Sequence, residues 1–213
     1  TRAAVSSSIL FPALSAPLMW AFSWAAAPIA ARTITLSISR VFPSRPRLVE
    51  KYPKESAVLQ GRILVHSYKE NPKILDENGD GTVSYVLLEG ESSHQDSLIR
   101  TEWSIQTLKD GGVPIERITG GIANWERSQA SALMEQWLNE YPGEIELVIA
   151  NNDDMALGAI DAMGRAGVTA GTIQFVGIDG TPAGLEAIRN GTLLGTVESD
   201  RRAYAEAIFE TAR

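Results

Sequence analysis

From residue 52 onward, short apolar runs alternate with longer segments in which apolar residues recur at helical spacing. Between residues 128 and 140 the apolar positions recur every three or four residues, which predicts an amphipathic helix. The run 147–150 is continuously apolar, as in strands that a parallel sheet buries on both faces. The alternation of the two patterns predicts βαβ units and an α/β fold with a doubly wound parallel sheet.

The same pattern places the individual elements. Strands are predicted at 83–88, 113–118, 146–150, 173–178 and 193–197. Helices are predicted at 53–70, 94–109, 128–140, 154–165 and 182–189. We therefore treat residues 51–198 as one αβ lobe.

The first fifty residues differ from the rest in charge. Residues 3–31 carry no charge, and no acidic residue precedes Glu50. This composition resembles a secretory signal, with a membrane helix and a transit peptide as alternatives; arginine without lysine, among many Ala, Ser and Pro residues, favours instead a segment foreign to the fold behind it. Three prolines, at positions 12, 17 and 28, disfavour the membrane helix. We expect residues 1–50 to be a signal-like or aberrant segment, irregular or poorly ordered.

Composition argues against several functional classes. The net charge of -7 argues against nucleic acid as a partner. The absence of cysteine excludes disulfides, thiol nucleophiles and Cys-ligated metals. The chain has no G-x-S-x-G, P-loop or dinucleotide motif, and its two histidines, His66 and His94, offer little material for a catalytic triad. We expect a protein that is not an enzyme.

Polar residues follow the carboxyl ends of four predicted strands, where open parallel sheets bind ligands. Carboxylates, amides and an arginine make paired hydrogen bonds to vicinal hydroxyls, and an indole covers the apolar face of a pyranose. This mixture favours a sugar as the ligand. The residues are Glu91, His94, Asp96 and Arg100 after the first strand, Asn124 and Trp125 after the second, Asn151 to Asp154 after the third, and Asp179 after the fourth.

Each of these residues also has an ordinary structural explanation. Asp153 and Asp154 are in place to cap the following helix. Asp96 and Arg100 have the i,i+4 spacing of a surface ion pair. Trp125 fits a core position, and His94 a structural one.

Residues 76–84 follow the first nine positions of an EF-hand calcium loop. Oxygen-bearing residues occupy positions 1, 3, 5, 7 and 9, and Gly81 stands at position 6, where the loop turns sharply. Position 12 is Leu87 instead of glutamate, so a carboxylate must arrive from elsewhere, with Glu146 as one candidate. The alternative is a plain Asx-rich turn.

Together these stretches resemble the periplasmic galactose/glucose-binding proteins, which are type I substrate-binding proteins of sugar ABC importers. The resemblance covers residues 54–200. It is carried by Asp76-x-Asn78-x-Asp80-Gly81, Gly90-Glu91-x-x-His94-x-Asp96 with Arg100, Trp125, Ala150-Asn151-Asn152-Asp153, Val176-Gly177-x-Asp179 and Gly195-Thr196-Val197.

The resemblance implies a periplasmic or extracytoplasmic, monomeric receptor for a monosaccharide of the glucose and galactose class. Its partners would be the membrane subunits of an ABC importer, with a chemoreceptor as a further possibility. It implies that the sugar contacts are His94, Asp96, Arg100, Trp125, Asn152 and Asp179. It implies a structural Ca²⁺ held by Asp76, Asn78, Asp80, Thr82, Ser84 and Glu146.

Three departures from the family affect these expectations. Ser84 replaces a longer amide, and Ser199 replaces a sugar-binding asparagine. The matching residues belong to the carboxy-terminal lobe of a two-lobed fold. We therefore expect the amino-terminal lobe to be largely missing, residues 199–213 to begin the return crossover to it, and sugar affinity to be weak.

Two alternatives remain open. The effector-binding core of LacI-type transcription regulators has the same architecture, although no basic helix-turn-helix is readable here. A truncated or frame-shifted chain without function is the other.

Overall fold

The computed structural model describes residues 34–37 and 48–198, and these residues build one parallel sheet flanked by helices. Its strands are β1 (Ile34–Ser37), β2 (Val83–Glu89), β3 (Ile115–Ile122), β4 (Leu147–Ala150), β5 (Gln174–Val176) and β6 (Gly195–Glu198). Its helices are α1 (Leu48–Glu70), α2 (Gln95–Asp110), α3 (Arg127–Glu140), α4 (Asp153–Arg165) and α5 (Pro182–Arg189).

All pairings in the sheet are parallel, and the strand order is β1-β6-β5-β4-β2-β3. This confirms the predicted α/β class with a doubly wound parallel sheet. Each βαβ crossover returns the chain to the same end of the sheet, so all strand carboxyl ends lie along one edge.

Two layers of helices bury the faces of the sheet. Strand β2, which lies between β4 and β3, sends Val86 and Leu88 into a cluster with α3, α4 and α5. It sends Tyr85 and Leu87 into a second cluster with α1 and α2. Because both faces are covered, the strand reads as a continuous apolar run in the sequence.

Two elements differ most from the predicted bounds. Helix α1 begins at Leu48, so Pro53 lies inside it, in the second turn, instead of at its start; a proline there removes one backbone hydrogen bond of the helix. Strand β3 continues to Ile122, four residues beyond the prediction. Gly120 and Gly121 hide this extension, because glycine has low strand propensity.

The segment predicted to be irregular, 1–50, contributes a short strand. Strand β1 (Ile34–Ser37) pairs with β6 (Gly195–Glu198) and adds one strand to the five that the sequence pattern predicts. The rest of 1–47 and the predicted crossover at 199–213 lie outside the described residues, as does Ser199. Within the described ranges, no helix is both long and apolar enough to cross a membrane.

Helices α3 and α4 approach closely at one glycine. A Cβ on Gly158 would lie 2.1 Å from the carbonyl oxygen of Arg127, closer than real atoms come. Gly164, on the same helix, would place its Cβ in open space, with nothing within 4 Å. The two glycines therefore separate the effect of packing from the effect of backbone entropy.

We expect Gly158→Ala to lower the free energy of unfolding by about 1–3 kcal/mol through overpacking. The matched control, Gly164→Ala, should raise it by about 0.5–1 kcal/mol, because alanine favours the helix. Urea unfolding of both variants measures the difference. Equal effects of the two substitutions would contradict the close helix contact.

Candidate functional site

The direction of the strand order reverses beside β2. The chain leaves β2 for β3 on one side and then returns to β4 on the other. In sheets of this kind, the crevice outside the carboxyl ends of the two strands at the reversal is the usual ligand site. We call the residues beyond these ends, 90–100, 123–125, 151–153 and 179–181, the rim.

Arg100 and Asp179 form an ion pair across the rim. Arg100 Nη1 lies 3.4 Å from Asp179 Oδ1 and donates to the Asn151 carbonyl at 2.7 Å. The Arg100 Nε is buried, and no partner for it exists in the described part of the chain. The alternative i,i+4 ion pair of Asp96 with Arg100 does not form, and the guanidinium is directed at the sheet edge instead of at its own helix surface.

Trp125 lies at the centre of the rim, packed against the end of β2. A Cβ on Gly90 would lie 2.2 Å from the indole ring, so only glycine allows this contact. The ring is 5.4 Å from the His94 ring in an edge-to-face arrangement. The Arg100 guanidinium lies 5.7 Å from the indole centroid, within the range of a cation–π interaction.

Backbone strain gathers at the same place. In the described ranges, the non-glycine residues with positive φ are Asn124 (50°), Trp125 (67°) and Asp179 (124°). All three follow strand ends at the rim. Such conformations cost free energy and cluster at functional sites, because surrounding structure must hold them. Two of the three strained residues, Trp125 and Asp179, are among the expected sugar contacts.

His94 and Asp96 open helix α2. His94 is the N-cap: its Nδ1 accepts a hydrogen bond from the Asp96 N–H at 3.2 Å. His94 therefore has a structural role as a helix cap, and it is also exposed at the rim. This bond leaves Nε2 as the ring nitrogen that a ligand can reach.

Asn152 has a structural task of its own. It caps helix α4 by accepting from the Met155 N–H at 2.9 Å, and its Nδ2 donates to the Trp125 carbonyl at 3.3 Å. Its side chain therefore holds the tryptophan turn, and 7% of the residue remains exposed. Five of the six residues predicted to bind sugar touch one another in a connected set: His94, Trp125, Arg100, Asp179 and Asn152. The sixth, Asp96, lies beside His94 in the first turn of α2.

The sequence reasoning missed the role of Asp153. This residue does not cap α4; its side chain is fully buried and joins three elements. It accepts from the Thr181 N–H at 2.8 Å and from the Thr196 hydroxyl at 2.6 Å. Gly177 and Gly184 make room for the carboxylate, since a Cβ at either would lie within 2.5 Å of it. The sequence signal that could have indicated this buried role was a carboxylate after one strand together with small residues after the neighbouring strand.

Burial raises the pKa of the Asp153 carboxyl to about 6, from 3.8. The hydrogen bonds from Thr196 and Thr181 lower the pKa, and the nearby charge of Asp179 raises it further, but burial has the largest effect. The group is therefore harder to ionise in the folded protein than in the unfolded chain.

The predicted calcium loop is a compact turn at the amino end of β2, away from the rim. Asp76 accepts from the Gly79 and Gly81 N–H groups at 2.8 and 3.1 Å, which fixes the sharp turn. Gly79 and Gly81 have φ values of 73° and 91°, which glycine adopts without strain. Asp80 accepts from the Thr82 N–H at 2.8 Å.

Glu146 reaches this loop from the start of β4. Its two oxygens accept from the Asn78 N–H at 3.1 Å and from the Ser84 N–H at 2.9 Å. Glu146 and Asp76 are 4% and 5% exposed, and neither pairs with a basic side chain among the described residues. The described residues contain no group of three or more His, Cys, Asp or Glu side chains arranged to hold a metal ion.

The structure is an α/β lobe whose polar rim lies at the edge where open parallel sheets bind ligands. The chain belongs to the periplasmic binding protein domain family, whose model matches residues 48–213.

Two relatives of known function and one solved structure illustrate the similarity. The D-galactose/methyl-galactoside binding periplasmic protein of Haemophilus influenzae is 35% identical over 159 residues, covering 74% of this chain and 47% of the relative. The D-ribose/D-allose-binding protein of Pseudomonas aeruginosa is 32% identical over 151 residues, covering 70% and 43%. An ABC transporter solute-binding protein of Bacillus halodurans with bound myo-inositol is 35% identical, with a TM-score of 0.54, covering 67% and 45%. The chain spans about half the length of such relatives.

The raised pKa of Asp153 makes stability depend on pH. Between about pH 4 and pH 6 the folded protein keeps a proton that the unfolded chain has released, so this stabilisation is lost as pH rises through 6. We expect the contribution to the free energy of unfolding to fall by roughly 1 kcal/mol between about pH 5 and pH 7.

Asp153→Asn is the matched variant, because it keeps an acceptor for the Thr181 N–H but cannot ionise. Urea unfolding at several pH values should show that wild type loses stability relative to this variant as pH rises. A difference that does not change with pH would refute the assignment to Asp153.

Proposed function

We propose that this chain contributes to the extracytoplasmic receptor of a sugar ABC importer and binds a monosaccharide at the rim. The observation that carries the proposal is the contact set formed by His94, Trp125, Arg100 and Asp179 at the reversal of strand order. Membership of the periplasmic binding protein family and the sugar-binding relatives support it. Its partners would be the membrane subunits of the importer, and a chemoreceptor is a further candidate.

The chemistry of the rim suits a ring that bears hydroxyls on its edge and C–H groups on its faces. Arg100 and Asp179 offer a donor and an acceptor 3.4 Å apart, a spacing that two neighbouring hydroxyls bridge. Trp125 offers an aromatic surface beside them. Within this class we propose a hexose such as glucose or galactose.

The rim is open to solvent, and this sets the expected affinity. His94 and the preceding Glu91 are exposed, and Asp179 keeps 29% of its side chain accessible. A sugar resting on one open surface stays largely hydrated, so few of its polar contacts are strengthened by exclusion of water. We therefore expect the 213-residue chain to bind sugar with millimolar affinity.

We also propose that the chain does not hydrolyse its ligand. Glycoside hydrolysis uses two carboxyl groups on either side of one bond. Asp153 and Asp154 are the adjacent pair, but Asp153 is fully buried among threonine donors. Incubation with a panel of glycosides should release no free sugar above the buffer control.

We expect glucose or galactose at millimolar concentration to shift the Trp125 indole and rim amide resonances in two-dimensional NMR spectra. Arg100→Ala should weaken binding by about 1.5–3 kcal/mol, the range for a hydrogen bond to a charged group. Arg165→Ala is the matched control, because Arg165 pairs with Glu135 on the outer surface of α3 and α4. Micromolar affinity, or no shift with any monosaccharide, would contradict the proposal.

A structural Ca²⁺ at residues 76–84 is the second part of the proposal. Asp76 and Glu146 are buried carboxylates without a cationic partner among the described residues, and buried charges are normally paired or bound to metal. Each carboxylate oxygen that accepts a backbone N–H keeps a second lone pair for an ion. All the donor atoms are oxygens, which Ca²⁺ prefers: the side chains of Asp76, Asn78, Asp80, Ser84 and Glu146 and the carbonyl of Thr82.

Calcium should raise the melting temperature of wild type and a chelator should lower it. An ion concentration a hundred times the dissociation constant contributes about 2.7 kcal/mol of stability. Glu146→Gln should remove the response, whereas Glu144→Gln, an exposed neighbour, should retain it. Identical melting curves with calcium and with chelator would favour the plain Asx-rich turn.

A further inference from the structure

The backbone of Asn151 joins the two sides of the strand reversal. Asn151 directly follows β4, and its N–H donates to the Leu88 carbonyl of β2 at 3.0 Å. Its carbonyl accepts from Arg100 Nη1 at 2.7 Å. Both backbone groups therefore bond to the unit formed by β2 and α2.

The side chain of Asn151 bonds to the same unit. Its Oδ1 accepts from the Gly90 N–H and from the Ser97 hydroxyl, each at 3.1 Å. Its Nδ2 donates to Thr101 Oγ1 at 3.2 Å. The residue is fully buried, so water cannot replace these partners. In contrast, Asn152 caps its own helix.

Helix α2 buries mainly polar side chains. Its buried residues are Ser97, Ser104 and Leu108, so only one of the three is apolar. Ser104 donates to Gln60 Oε1 at 2.6 Å, and Gln60 Nε2 donates to the Ala150 carbonyl at 2.7 Å. These hydrogen bonds along one face of α2 therefore fix the position of the helix along β4. Apolar side chains tolerate sliding, whereas buried polar pairs do not.

The position of α2 sets the geometry of the rim. Its start carries His94 and Asp96, and Arg100 follows one turn later. Asn152 and Asp179 follow β4 and β5, and the bonds of Asn151 link the two groups through the end of β4, in addition to the Arg100–Asp179 ion pair.

We propose that Asn151 is a positioning residue of the ligand site. Its amide clamps the end of β2 and the first turns of α2 to β4, and so holds His94, Asp96 and Arg100 in register with Asn152 and Asp179. Asn151 does not contact the ligand itself. The functional consequence rests on the proposed sugar binding, whereas the clamp is a property of the protein alone.

Two variants of graded severity test the clamp. Asn151→Ala leaves the Gly90 N–H and the Ser97 hydroxyl buried without a partner. Thr101→Val removes one bond of the clamp and preserves the shape of the side chain. The matched control is Thr107→Val on the same helix, since its hydroxyl bonds to the Trp103 carbonyl and does not reach the rim. Leu193→Ala, in the core two residues before β6, controls for general loss of stability.

Without sugar, Asn151→Ala should speed hydrogen exchange of the Gly90 amide by about tenfold relative to the amides of the preceding strand β2. It should also shift the Arg100 Nε–H and Trp125 indole resonances, and Thr101→Val should shift them less. Leu193→Ala should speed exchange without singling out Gly90. Unchanged Gly90 protection and unchanged resonances in Asn151→Ala would overturn the inference, whether or not sugar binds.

With sugar, Asn151→Ala should raise the dissociation constant about tenfold and Thr101→Val by a smaller factor. The double variant should show less than the sum of the two effects, because each substitution disrupts the same contact between residues 151 and 101. Thr107→Val and Leu193→Ala should bind as wild type does. If wild type binds and Asn151→Ala binds equally well, the inference is wrong; if wild type does not bind, the proposed function fails and Gly90 exchange alone decides the clamp.

Discussion

Parallel pairing of every strand is the constraint on which the candidate site depends. Because each crossover returns the chain to the amino end of the sheet, β2, β4 and β5 all release their following residues at one edge. The reversal beside β2 then opens a gap between the connections that lead to α2 and to α4. Residues separated by 79 positions, Arg100 and Asp179, meet across this gap. Local sequence alone could not bring them together.

The rim is also where the chain accepts unfavourable conformations. Two consecutive residues, Asn124 and Trp125, have positive φ, and the indole fits only because Gly90 lacks a Cβ. Asn152 stabilises this turn by donating to the Trp125 carbonyl. The conformational cost is thus offset by hydrogen bonds from the neighbouring strand end, which couples the position of the tryptophan to that of β4.

The sequence predicted the fold class, five helices and five of the strands because apolar periodicity is a local property. Element ends were less accessible: Gly120 and Gly121 concealed the end of β3, and Ile34–Ser37 becomes a strand only through its pairing with β6. The candidate site followed the same rule. Strand ends identified which residues reach the rim, but residue type could not show that Arg100 pairs with Asp179 instead of Asp96.

The three residues after β4 show why residue type is insufficient. Asn151, Asn152 and Asp153 are consecutive and polar, yet one bonds to α2, one caps α4 and one bonds to Thr181 and Thr196. Side chains leave a strand end and a helix start in different directions, so each meets a different element. Two of the three are fully buried, and a buried polar group is stable only with its specific partners. Each therefore fixes one neighbouring element relative to β4. Together these three residues position the elements that carry the side chains of the rim.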